Sequence, residues 1–164
     1  MNDHLMVQEM GAKASAVKAT VRDQTQATAR AFMDWRNAVR KMSPAKKIAM
    51  IREGVDVGVL IGAGQYYGIP QTTLSRLIGV SQATVTRKIR AGGTLSPQES
   101  ERLVRMAAVE AEAEDVFDSQ ELARRWMLEP NLALGEAPLS LLDTDAGADE
   151  VKKVLASIAY GGAA

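Results

Sequence analysis

The sequence contains no cysteine, which excludes disulfides and thiolate metal sites. Its one histidine, His4, stands at the start of the chain, so no His-based catalytic triad and no His-rich metal cluster can form. Aromatic residues are scarce, with two Phe, three Tyr and two Trp in 164 residues. Any core must therefore be aliphatic, built from Ala, Leu, Val, Ile and eight Met. The longest apolar run, Val57 to Ala63, is far short of the roughly 20 residues that span a bilayer. Met1 to Ala12 lack the basic start and apolar block of a secretion signal. These absences point to a soluble, cytoplasmic protein of one or two small domains.

Charge is present but unevenly placed. The formal net charge is zero. Residues 1–109 nevertheless carry 16 Lys and Arg against 8 Asp and Glu, while residues 110–164 carry 4 against 12. A basic first part suits a polyanion, because each cation laid on a phosphate releases counterions. An acidic second part repels nucleic acid and suits a basic protein partner. The plain alternative is that each part has a solvated charged face.

Residues 1–42 are polar and Ala-rich, with an apolar face only at Phe32, Trp35, Val39 and Met42. Asn2 to Thr28 lack such a stripe and read as a helical or mobile extension. Ser43-Pro44 marks a helix start, with Ile48, Ile51 and Val55 expected on its apolar face. Glycines at 54, 58, 62, 64 and 68 interrupt the next stretch, until Ile69-Pro70 ends it. Gly62-Ala63-Gly64 superficially resembles the start of a dinucleotide-binding turn. Tyr67 stands where the third Gly should be and no acid lies downstream at the needed distance, so a helix junction is expected.

From Gln71 to Arg90 the pattern is helix, tight turn, helix. Leu74, Leu77 and Ile78 mark the first helix, Gly79-Val80-Ser81 the turn, and Val85 with Ile89 the buried side of the second. That second helix carries Gln82, Thr84, Thr86, Arg87, Lys88 and Arg90, types that reach base edges and phosphates. No acid lies between Asp56 and Glu99. The pattern points to a helix-turn-helix reading DNA in the major groove. An ordinary helical hairpin with a basic face is the alternative.

Ser96-Pro97-Gln98-Glu99 is a capping box. It opens a long helix with Leu103, Met106, Ala107, Ala113 and Phe117 expected inside. Asp118 and Glu121 offer the next capping pair, ahead of Leu122 and Trp126. Pro130 breaks that helix, a turn-rich stretch comes next, and Pro138 to Leu142 form a short apolar segment. Thr144 is the expected cap of a last helix with Val151, Val154, Leu155 and Ile158 on one stripe, ended by Gly161-Gly162. No segment alternates like a strand, so the fold class is all-α. The acids at 110, 112, 114, 115 and 118 read as a solvated face, and nothing supplies a nucleophile with its base. No catalytic residue, metal or cofactor is expected.

An ordered set of residues carries a family resemblance. It comprises Trp126, Pro130-Asn131, Ala133-Leu134-Gly135, Pro138-Leu139, Leu142, Thr144, Gly147, Val151, Leu155, Ile158 and Tyr160-Gly161. It extends upstream through Ile78-Gly79-Val80-Ser81, Arg87, Leu95-Ser96, Glu99-Ser100, Arg102-Leu103 and Phe117, so that it covers roughly residues 45 to 162. In these positions the chain resembles the Xre/MbcA/ParS antitoxins. The resemblance implies a helix-turn-helix-like domain followed by a small helical toxin-binding domain. It implies a RES-domain toxin that depletes NAD as partner, with the antitoxin packed over the toxin's active-site entrance. It also implies a toxin encoded beside the antitoxin, and repression of their shared operon. Glu136, Ala159 and the small residues after Gly161 depart from the family's pattern.

The expected organisation is an extension over 1–42, a DNA-binding and dimerisation domain over 43–117, and a toxin-binding domain over 118–164. The toxin-binding residues expected are Trp126, Asn131, Leu134, Pro138, Leu139, Leu142, Val151, Leu155, Ile158, Tyr160 and Gly161. Partners are a cognate toxin, operator DNA and a second copy of the chain, since one helix-turn-helix reads one half-site. The alternative is a stand-alone repressor whose C-terminal domain only dimerises.

Overall fold

A computed structural model describes the backbone of residues 3–161 and the side chains of residues 15, 16 and 18–161. The His4 side chain and the tail after Gly161 lie outside the described residues. The described chain is all-α. Helix α1 spans Asp3–Arg40, α2 Pro44–Glu53, α3 Val57–Tyr67, α4 Gln71–Ile78, α5 Gln82–Ala91, α6 Pro97–Phe117, α7 Gln120–Leu128 and α8 Asp145–Ala159. A 3-10 turn, Pro138–Asp143, precedes α8. The sole extended pairing among the described residues ties Asp56 to Thr94. It is closed by Val57 N–H to Gly93 O at 3.1 Å and Leu95 N–H to Val55 O at 2.8 Å.

The capping signals place most of these boundaries. Ser43, Ser81, Ser96 and Thr144 each accept a bond from a backbone N–H in the first turn of the helix they cap. Glu99 completes the capping box by accepting the Ser96 N–H at 2.7 Å. One cap differs from expectation. Ser119, not Asp118, caps α7, because Asp118 takes a left-handed conformation (φ +48°) that ends α6.

Helix α6 is the pillar of the molecule. It packs against α1, α2, α4, α7, α8 and the 3-10 turn. Leu103, Met106, Ala107, Val109 and Ala113 on it are buried, while Phe117 is half-buried. Because α6 runs unbroken for 21 residues, no linker separates the helix-turn-helix from the C-terminal helices.

Of the two forms expected for the N-terminal segment, the helical one is seen: it is helical from Asp3, and the far end of α1 enters the core through Phe32, Arg36 and Val39. Two expectations about the first half are corrected. Gly62-Ala63-Gly64 is not a junction but the middle of α3. A Cβ at Gly62 would lie 2.7 Å from the Thr28 carbonyl oxygen and 3.0 Å from the Phe32 Cβ, so glycine is what lets α1 and α3 meet. Ile48 and Ile89, expected inside, are exposed, while Val55 and Val85 are buried.

Candidate functional site

The basic surface is built by α4, the turn and α5. Gly79 sits at φ +78°, and a Cβ there would strike the Arg102 guanidinium at 2.0 Å. Arg102 donates to the Ile78 carbonyl at 3.0 Å, so α6 holds the turn that aims α5. Val85 is fully buried and anchors α5. Gln82, Ala83, Thr86, Arg87 and Arg90 form one exposed stripe, and Ala83, Thr86, Arg87, Arg90 and Ala91 line a shallow groove along it. Among the described residues, neither arginine is held by a carboxylate.

The six expected DNA-facing side chains are not equivalent. Lys88 turns inward and its ammonium meets Glu99 at 3.1 Å, both groups largely buried. Burial alone pushes the Glu99 carboxyl up. The Ser96 N–H and Lys88 outweigh it and hold the group below the usual carboxylate range. Thr84 is half-buried, and its hydroxyl accepts from Ser81 Oγ at 2.8 Å. Thr86 donates back to the Gln82 carbonyl at 3.0 Å. Arg87, Arg90 and Gln82 therefore have the freest polar ends of the six.

The C-terminal surface divides the expected residues in the same way. Trp126 lies half-buried against Phe117, ring centroids 5.6 Å apart, and fixes α7 to α6. Pro138, Leu139 and Leu142 are buried in the 3-10 turn, and Val151 and Leu155 are buried on α8. Asn131 organises the preceding loop, its Oδ1 accepting the Ala133 N–H at 2.9 Å and the Leu134 N–H at 3.3 Å. Leu134 is half-buried beneath it. All eight of these side chains build the domain. Ile158, Tyr160 and Gly161, in contrast, face water at the end of α8, with Tyr160 86% exposed.

Two groups were not anticipated. Arg105 on α6 donates to the Leu142 carbonyl at 3.3 Å and pairs with Asp145 and Glu101, each at 2.6 Å, so it ties α6 to the start of α8. Deeper in, Glu110 is not on the solvated face expected for it but fully buried, because Tyr66 and Tyr67 donate to its two oxygens at 2.6 and 2.7 Å. Arg36, also buried, stands 4.0 Å from Glu110 and pairs with Glu114. The signal for Arg36 was its place between Phe32 and Val39 on one helix face. A cation there needs a buried acid.

Two family descriptions match successive stretches of the chain. Residues 47–108 match the family described as the antitoxin Xre-like helix-turn-helix domain. Residues 112–161 match the antitoxin Xre/MbcA/ParS C-terminal toxin-binding domain. The antitoxin Xre of Yersinia enterocolitica is 33% identical over 113 residues, 68% of this chain and 76% of that one. A Prs ADP-ribosylating antitoxin of a Sphingobium species is 30% identical over 134 residues, 76% of this chain and 84% of that one. The antitoxin Xre of Photorhabdus laumondii is 28% identical over 115 residues, 69% and 78% of the two chains. With its helix-turn-helix held on α6 ahead of a capped helical C-terminal domain, the chain belongs to the Xre/MbcA/ParS family of antitoxins.

Proposed function

We propose that this antitoxin neutralises a RES-domain, NAD-depleting toxin by laying the end of α8 over the toxin's active-site entrance. The observation that carries this reading is the last turn of α8. Val151 and Leu155 are buried in the domain, whereas Ile158 and Tyr160, on the same helix and its cap, project into water. An apolar side chain and an aromatic one at a free helix end match the anchors that dominate protein interfaces. The name of the Sphingobium relative speaks of ADP-ribosylation.

In the same proposal α5 binds the operator of the shared operon as part of a homodimer. Gln82, Thr86, Arg87 and Arg90 make the contacts, and Thr84 and Lys88 shape the helix that presents them. The chain acts as a regulator, not an enzyme. Its most deeply buried carboxylate, Glu110, is occupied by two tyrosine hydroxyls and an arginine. Among the described residues no helix is long and apolar enough to cross a membrane.

Co-expression tests the toxin half. Cells carrying the toxin encoded beside this chain should be rescued by the full protein. They should not be rescued by one lacking residues 158–164, while that truncated protein melts close to the parent because it keeps Val151 and Leu155. Rescue by the truncated chain would move the toxin contact away from the end of α8, and failure of the full protein to rescue would leave the stand-alone repressor as the better account.

A further inference from the structure

We infer that the loop between α7 and the 3-10 turn is a second, preformed contact for the toxin, anchored by Leu132. The inference rests on the reading of the C-terminal domain as the toxin-capturing part. Leu132 is as exposed as a leucine in an extended peptide, more so than any other large apolar side chain described. Its backbone, however, is fixed. The Asn131 N–H donates to Glu136 O at 3.1 Å and its carbonyl accepts the Gly135 N–H at 2.8 Å. The Asn131 side chain takes the Ala133 and Leu134 amides. Glu136 then accepts the Ser140 hydroxyl, closing the loop onto the 3-10 turn. Leu134 is drawn toward the core, which leaves Leu132 at the tip.

A leucine held in water by a closed loop gains nothing within the chain. It gains a partner's apolar pocket at little ordering cost, because the loop is already in shape. The occupant is the toxin and not DNA. The loop lies inside the stretch that matches the toxin-binding domain. Exposed Glu136, paired with no cation among the described residues, also repels phosphate, whereas Glu129 on the other flank pairs with Arg125 at 3.3 Å. The pocket that fits is apolar with a basic rim. The loop joins α7 to the 3-10 turn, so it offers a grip in addition to the end of α8.

The test uses the full-length chain, the purified toxin encoded beside it, and the variants Leu132→Asp and Leu132→Ala. Leu132→Asp should weaken toxin binding by about 30-fold or more, and Leu132→Ala by about 10-fold, chiefly through faster dissociation. Both should keep the parent's melting temperature, because Leu132 touches nothing inside. If the Asp variant melts lower, the Ala variant decides by the same criterion. An affinity within about twofold of the parent for a correctly folded variant overturns the inference while leaving the toxin reading intact. A parent chain that does not bind the toxin overturns both.

Discussion

Glu110 holds three helices together through a single carboxylate. Tyr66 and Tyr67 reach it from α3, Arg36 reaches it from α1, and Glu110 itself belongs to α6. Burial pushes its carboxyl above the usual range, and the tyrosine donors and Arg36 offset only part of that rise. Burial, then the neighbouring Glu110, pushes both tyrosines well above theirs. Replacing Glu110 by Ala would strand a buried guanidinium and two hydroxyls. A loss of about 3–5 kcal/mol in unfolding free energy is expected, read from denaturant titration. The raised carboxyl also sets a pH dependence. The folded chain keeps the Glu110 proton to higher pH than the unfolded chain does. Its contribution is therefore greatest below the unfolded value of about 4.3 and falls as pH rises through the folded value. Glu110→Gln should remove that decline from stability measured across the weakly acidic range. An unchanged slope would assign it to other groups.

At the scale of elements, the meeting of α1 and α3 is the least forgiving contact. Gly62→Ala places a methyl against the Thr28 carbonyl, a backbone atom that cannot swing away. A cost of about 1–3 kcal/mol is expected, and circular dichroism melting would show it as an earlier transition. A melting point equal to the parent's would mean that α1 sits more loosely than described. This contact was hidden in the sequence, because glycine inside a helix reads as a break unless the helix that crosses it is known. The start of α1 was hidden for a related reason. Its Ala-rich stretch favours helix by propensity but shows no apolar stripe to prove it. The capped elements were legible, since Ser43, Ser81, Ser96 and Thr144 write their hydrogen bonds into the local sequence. Helix α5 was legible in type and place but not in rotation. Val85 is buried and Ile89 is not, and Lys88 turns toward Glu99, which depends on where α6 lies. On the C-terminal side the ordered motif was legible. Which of its residues build and which present was not, because Leu155 and Ile158 sit on one stripe and differ only in what the domain covers.

For the whole molecule, α6 settles how two surfaces share one chain. It holds the turn before α5 through Arg102 and the start of α8 through Arg105. The basic stripe of α5 and the apolar end of α8 are thus carried on one continuous helix. The central claim is that the two surfaces have separate partners. It is tested most directly by measuring operator affinity and toxin affinity for the same two purified variants. Arg87→Ala/Arg90→Ala should weaken operator binding and lower its salt slope by about 2, and should leave toxin affinity unchanged. Removal of residues 158–164 should do the reverse, abolishing toxin binding while operator affinity and salt slope stay at the parent's values. If both variants lose both partners, or if neither changes its own, the assignment of DNA to α5 and toxin to the end of α8 is contradicted.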